Sequence, residues 1–103
     1  MPVKLLVLYP HPKDVDAFER SYNAEHLPLM RRLVGSGVPL LTYLTLGPPE
    51  RPYYRTAEIH FEDMAHFTRF LQSDPQGTGR ASAEKVSTGG PPVFLVCEEQ
   101  RKI

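Results

Sequence analysis

A single cysteine, Cys97, in 103 residues excludes an internal disulfide framework and any cysteine-rich zinc or iron–sulfur centre made by one chain. A reducing, cytoplasmic setting is therefore expected. Charge of one sign is also missing: twelve basic and twelve acidic side chains cancel, so no net field draws the chain to nucleic acid. No apolar run is long enough for a membrane span, because the opening Val3–Leu8 stretch meets Pro10 and Pro12 at once. Nor does a glycine-rich phosphate loop follow a strand; Gly35-Ser36-Gly37 sits where a helix should end. The four histidines form no close pair at metal-ligand spacing. Asparagine occurs once, at Asn23, and arginine outnumbers lysine, a weak sign of a heat-adapted host.

The chain instead shows a regular alternation of strand and helix patterns, enough for one domain spanning residues 1–103. Val3 to Tyr9 reads as a strand closed by Pro10-His11-Pro12. Asp14 or Asp16 can cap the helix that follows, and Asp16 with Glu19 has capping-box spacing. Phe18, Tyr22 and His26, spaced by four, fall on one face of that helix with Leu29 or Met30. Pro28 has no N–H and disfavours helical geometry at Leu27, so a kink or restart is expected there, with His26 at the break. Leu40 to Leu46 suits a strand, followed by the stiff Gly47–Pro52 loop. Tyr54 to Phe61 alternates, placing Tyr54, Thr56, Glu58 and His60 on one face. Asp63 can cap a helix whose apolar side is Met64, Phe67, Phe70 and Leu71. Asp74-Pro75 interrupts it, a weaker helical piece covers Arg80 to Val86, and Val93 to Cys97 is the last strand.

The order βαββαβ predicts an α+β, ferredoxin-like sandwich: a four-stranded antiparallel sheet with two helices on one face. The first and last strands are apolar on both sides, so the uncovered face should meet a second copy, sheet to sheet, as a homodimer. RNA-recognition domains share this order, but they need basic and stacking aromatic motifs on the first and third strands, and those are absent. No nucleic acid or membrane partner is expected. An amino-acid-sensing regulatory module of this topology would normally accompany a catalytic domain.

Tyr9-Pro10, Asp16-x-Phe18-x-x-x-Tyr22-x-x-x-His26-x-Pro28-Leu29 and Ile59-x-Phe61 followed by Met64-x-x-Phe67 resemble the EthD family of the dimeric α+β barrel superfamily. The resemblance implies a homodimer whose sheets meet in a barrel, with a small cleft between sheet and helices in each subunit. Relatives include cofactor-independent monooxygenases, polyketide cyclases, muconolactone-type isomerases and haem-dependent enzymes, and EthD itself is associated with ether degradation beside a cytochrome P450 system. Gly77, Gly79 and the proline-rich loop depart from the family pattern near the expected cleft mouth.

His26 is the first catalytic candidate, since imidazole exchanges protons near neutrality and suits an enolisable or phenolic substrate. The structural alternative is that His26 only satisfies carbonyls freed by Pro28. Tyr22, one turn earlier, can share its cleft or its core. His60 is a weaker candidate, on a polar strand face of undetermined direction. Tyr9, Tyr43, Phe18 and Leu29 are candidate substrate-binding residues. Cys97 should be a small buried hydrophobe, and His11 and His66 exposed. No metal site or cofactor is expected. Two functions follow: a cofactor-independent oxidoreductase, isomerase or cyclase acting on a small apolar, oxygenated or aromatic molecule, or a non-catalytic ligand-binding or accessory protein to an oxygenase system.

Overall fold

The computed structural model describes residues 1–102. Its elements run β1 (Val3–Tyr9), α1 (Val15–Ser21), a π-turn (Tyr22–His26), α2 (Leu27–Val34), β2 (Leu40–Leu44), β3 (Arg55–Phe61), α3 (Met64–Ser73), α4 (Thr78–Val86) and β4 (Val93–Glu98). The four strands form one antiparallel sheet in the order β2-β3-β1-β4. This is the expected ferredoxin-like arrangement, except that the second crossover carries two helices. Asp74 and Pro75 stop α3, and Gly77, in the left-handed region at φ 65°, starts α4. The Asp74 carboxylate accepts from the N–H groups of Thr78 and Gly79.

The α-helix restarts beside Pro28 as expected, with α2 beginning at Leu27, but through a π-turn and without the expected loss of helical geometry. Leu27 keeps helical angles, and its N–H reaches back five residues to the Tyr22 carbonyl. Pro28 falls in the first turn of α2, where its missing donor costs least. The helix accommodates the proline by widening before it, so His26 lies inside a continuous helix and not at a C-terminus. Asp14, not Asp16, is the cap, accepting from the Ala17 N–H at 3.1 Å.

Alternation divides the sheet. Val3, Leu5, Val7 and Tyr9 of β1 and Ala57, Ile59 and Phe61 of β3 face the helices, where they join two apolar clusters around Phe18 and Tyr22 and around Met30 and Phe67. Leu6, Leu8, Thr56, Glu58, His60, Tyr43, Leu41, Val93, Leu95 and Cys97 lie at the alternate positions, on the face that no helix covers. Three of them, Leu41, Tyr43 and Leu95, are between 43% and 45% exposed. Tyr54 departs from the expected polar face: regular strand begins at Arg55, and Tyr54 turns inward to meet Phe18 edge-on at 5.5 Å.

Candidate functional site

Between the helix-facing side of the sheet and α2, α3 and α4 lies a cavity of about 390 Å³, within the size range of small-molecule sites. Leu5, Val7, Ala57, Ile59, Met30 and Phe67 supply much of its wall, and it opens past Leu71 and Val96, each 51% exposed. Its polar lining comes down to Tyr9, Tyr22 and His26 within, and Asp74 and Arg80 with the α4 N-terminal region.

His26 reaches this wall from the π-turn and is 5% exposed. Its Nε2 lies 3.2 Å from the Tyr9 hydroxyl and its Nδ1 2.9 Å from Ser82 Oγ on α4. Proton positions follow from satisfaction. Tyr9 has no exposed surface, and among the described residues its hydroxyl meets only His26. A buried donor without an acceptor is costly, so Tyr9 donates to Nε2. The neutral ring then carries its proton on Nδ1 and donates it to Ser82. Burial enforces neutrality on both partners: it lowers the His26 pKa to about 4 and pushes the Tyr9 phenol well above its ordinary value. Because the helix continues past His26, no helix C-terminus favours the charged ring.

Tyr22 is tied elsewhere. Its ring stacks on Phe18 at 5.2 Å, and its hydroxyl lies 2.9 Å from Thr42 Oγ1. Thr42 donates to the Thr56 carbonyl and accepts from Arg55, which leaves Tyr22 as the donor to Thr42. Arg55 sits 5.1 Å from the Tyr22 ring centre and pairs with Glu19 at 2.8 Å. Partial burial opposes ionisation of Glu19, but hydrogen bonds from Tyr54 and Arg55 outweigh it and lower the Glu19 pKa. This network anchors the π-turn to β2 and β3; Arg55 Nε remains buried without a partner among the described residues.

The structure thus brings together His26, Tyr22 and Tyr9 of the expected site residues. Phe18, 2% exposed, lies in the core behind them and does not line the cavity, and Leu29 is also outside its wall, where Leu27 and Met30 stand instead. Tyr43 and His60 belong to the opposite sheet face, since strand parity sends Thr42 and Ile59 inward. There His60 meets Glu58 at 2.9 Å, with Lys4 at 3.6 Å from the same carboxylate. His11 is half-buried and donates to the Arg51 carbonyl at 2.7 Å; His66 is half-buried against Phe61. Cys97 is only partly buried. Sequence reasoning missed Ser82, an ordinary helical serine 56 residues from its partner; only the packing of α4 against the π-turn reveals it.

The model of the EthD domain matches residues 10–84, which include the π-turn, α2 and Ser82. An ethyl tert-butyl ether D (EthD) family protein of Bacillus halodurans is 27% identical over 97% of this chain and 100% of its own, with a TM-score of 0.81. An EthD-like protein of Ralstonia eutropha shares the fold at 16% identity, over 94% of this chain and 90% of its own, with a TM-score of 0.66. A dimeric protein of unknown function from Bacteroides fragilis shares the ferredoxin-like fold at 16% identity, 95% and 96% coverage and a TM-score of 0.61. An uncharacterised 11.0 kDa protein from the thcB-thcC intergenic region of Rhodococcus erythropolis is 24% identical, over 93% of this chain and 94% of its own.

Proposed function

The chain belongs to the EthD family, and from that premise we propose that it binds a small, mainly apolar molecule in the sheet–helix cavity and acts on it by proton transfer at His26, without a bound cofactor. One observation carries this reading: the imidazole in the wall of a mainly apolar cavity is held between two hydroxyls, Tyr9 and Ser82. Nε2 carries the lone pair on the Tyr9 side. When a ligand oxygen accepts the Tyr9 hydrogen bond in place of Nε2, Nε2 is released to take a proton from carbon or oxygen, and the Tyr9 O–H, still protonated, stabilises the charge left on the ligand oxygen. Returning the proton to another atom completes an isomerisation or cyclisation with no change in oxidation state. An oxidation would additionally consume dioxygen, one oxygen atom turning a ligand methylene into a carbonyl and the other leaving as water.

A second reading, a non-catalytic carrier or an accessory to an oxygenase, draws support from the engagement of both ring nitrogens by hydroxyls of the same chain. His26→Gln separates the two. The catalytic reading expects small ketones, phenols or ethers that the protein turns over to bind the variant within about threefold of wild type, with turnover reduced by about 10²–10⁴. Binding without turnover in the wild-type protein under multiple-turnover conditions favours the carrier.

We further propose that the uncovered sheet face, with Leu6, Leu8, Leu41, Tyr43 and Leu95, is the surface on which two copies pair. Its support is the extent of unpartnered apolar side chains on a sheet that most sequences of this topology would make polar.

A further inference from the structure

Tyr9, Tyr22, His26 and Asp74 on the cavity wall already have hydrogen-bond partners within the chain. Tyr22 is committed to Thr42, and the Asp74 carboxylate to two N–H groups of α4 that hold its pKa down. Arg80 places its guanidinium 4.6 Å from the centre of the Phe94 ring and its Nε 4.0 Å from Glu84, so the mouth sets one cation against two carboxylates. Arg80 is the one cation on the wall and is outnumbered by the Asp74 and Glu84 carboxylates, so an anionic ligand meets net negative charge at the mouth and loses its hydration on entering an apolar interior. A cationic ligand would have to displace Arg80 or leave its charge among aliphatic and aromatic side chains.

The contact that yields most easily is Tyr9 to His26. At 3.2 Å it lies at the long end of hydrogen bonding, and turning the phenolic O–H toward a ligand needs rotation about one C–O bond only. His26 and Tyr9 are almost fully covered, so a ligand must part the packing around them, and that cost is recovered by one that accepts the phenolic proton. Resting on the proposed cavity, we infer that the ligand class is a neutral, hydrocarbon-rich compound with an acceptor oxygen of carbonyl type, read by Tyr9, and that the corresponding carboxylate is rejected.

Three probes of one skeleton test this against the whole chain: 2-acetylnaphthalene, 2-ethylnaphthalene and 2-naphthoate, titrated at pH 7 by protein-observed NMR. The ketone should bind about tenfold tighter than the hydrocarbon, and the carboxylate at least tenfold more weakly than the ketone. In Tyr9→Phe the ketone's advantage should fall below threefold, with hydrocarbon affinity unchanged within twofold. Should that variant fail to fold, the bound ketone's infrared carbonyl stretch in the wild-type protein decides: a shift to lower frequency than in hydrocarbon solvent supports the Tyr9 hydrogen bond. A carboxylate as tight as the ketone, a ketone no tighter than the hydrocarbon, or an unshifted stretch overturns the inference while leaving the cavity as a binding site. Failure of all three probes to bind overturns the inference and the binding reading together.

Discussion

His26 illustrates how little a residue's chemistry can be read from its neighbours in sequence. The spacing of Phe18, Tyr22 and His26 correctly placed three rings on one helix side, but only the fold shows that Tyr9 and Ser82 flank the imidazole. The same burial that makes it a candidate site leaves a pH signature. The folded-state pKa of His26 is about 4, lowered by desolvation from 6.5, so in the unfolded chain the ring takes up a proton at higher pH than in the folded one. Stability is then fully present above about pH 6.5 and falls by about 3 kcal/mol as pH drops toward 4. Denaturant titrations from pH 7.5 to 4 should show this slope, and His26→Gln should flatten it. Asp74 and Glu19, with lowered pKa values, contribute their own losses at lower pH, as they are protonated. A slope equally steep in the variant would show that His26 is not its source. The hydroxyl partners also make a spectroscopic prediction: the ¹⁵N spectrum of His26 at pH 7 should report a neutral ring protonated at Nδ1, and a ring protonated at Nε2 would contradict donation by Tyr9.

The strand and helix order was legible almost throughout, because apolar alternation, capping aspartates and Pro/Gly punctuation all point the same way. What sequence could not supply was the response to Pro28. A local rule forbids the proline N–H bond but leaves the accommodation open, and the helix resolves it with a π-turn upstream, held to the sheet through Tyr22 and Thr42. Close approaches between distant segments are likewise invisible to local pattern. Gly89 is the clearest: a β-carbon there would stand 1.6 Å from the His11 carbonyl oxygen, so the turn before β4 can press on the loop after β1 only because this position has no side chain. Gly89→Ala should cost about 3 kcal/mol or more through backbone displacement. By contrast, Gly37→Ala, with nothing within 4 Å of the added carbon, should stay within about 0.5 kcal/mol. Chemical denaturation of both variants checks the pair, and equal losses would mean that contact with the β1 loop is not what selects glycine at position 89.

For the whole molecule, the decisive feature is the contrast between the two sides of one sheet. The inner side is closed by helices and encloses the cavity; the outer side carries Leu6, Leu8, Val93 and Leu95 on the adjacent strands β1 and β4, and Leu41 and Tyr43 on β2 beyond the polar Thr56, Glu58 and His60 of β3. The apolar pattern on both sides of β1 was visible in sequence, but the parity was not, and it assigns Tyr43 and His60 to the outer face, away from the cavity. That placement makes the two proposals separable by mutation. Leu6 is central on the outer face, paired across the sheet with Leu95 and Glu58, and its side chain does not line the cavity. If two copies pair there, Leu6→Arg buries a charge at the interface, and sedimentation at micromolar concentration should show the wild-type dimer replaced by monomer or by unfolded chain. Leu95→Arg, on an edge strand and already 43% exposed, leaves the monomer core intact and should weaken the dimer without unfolding it. A wild-type protein that sediments as a folded monomer at these concentrations would refute sheet-to-sheet pairing. It would leave the His26 site untouched, because the cavity is lined within one chain.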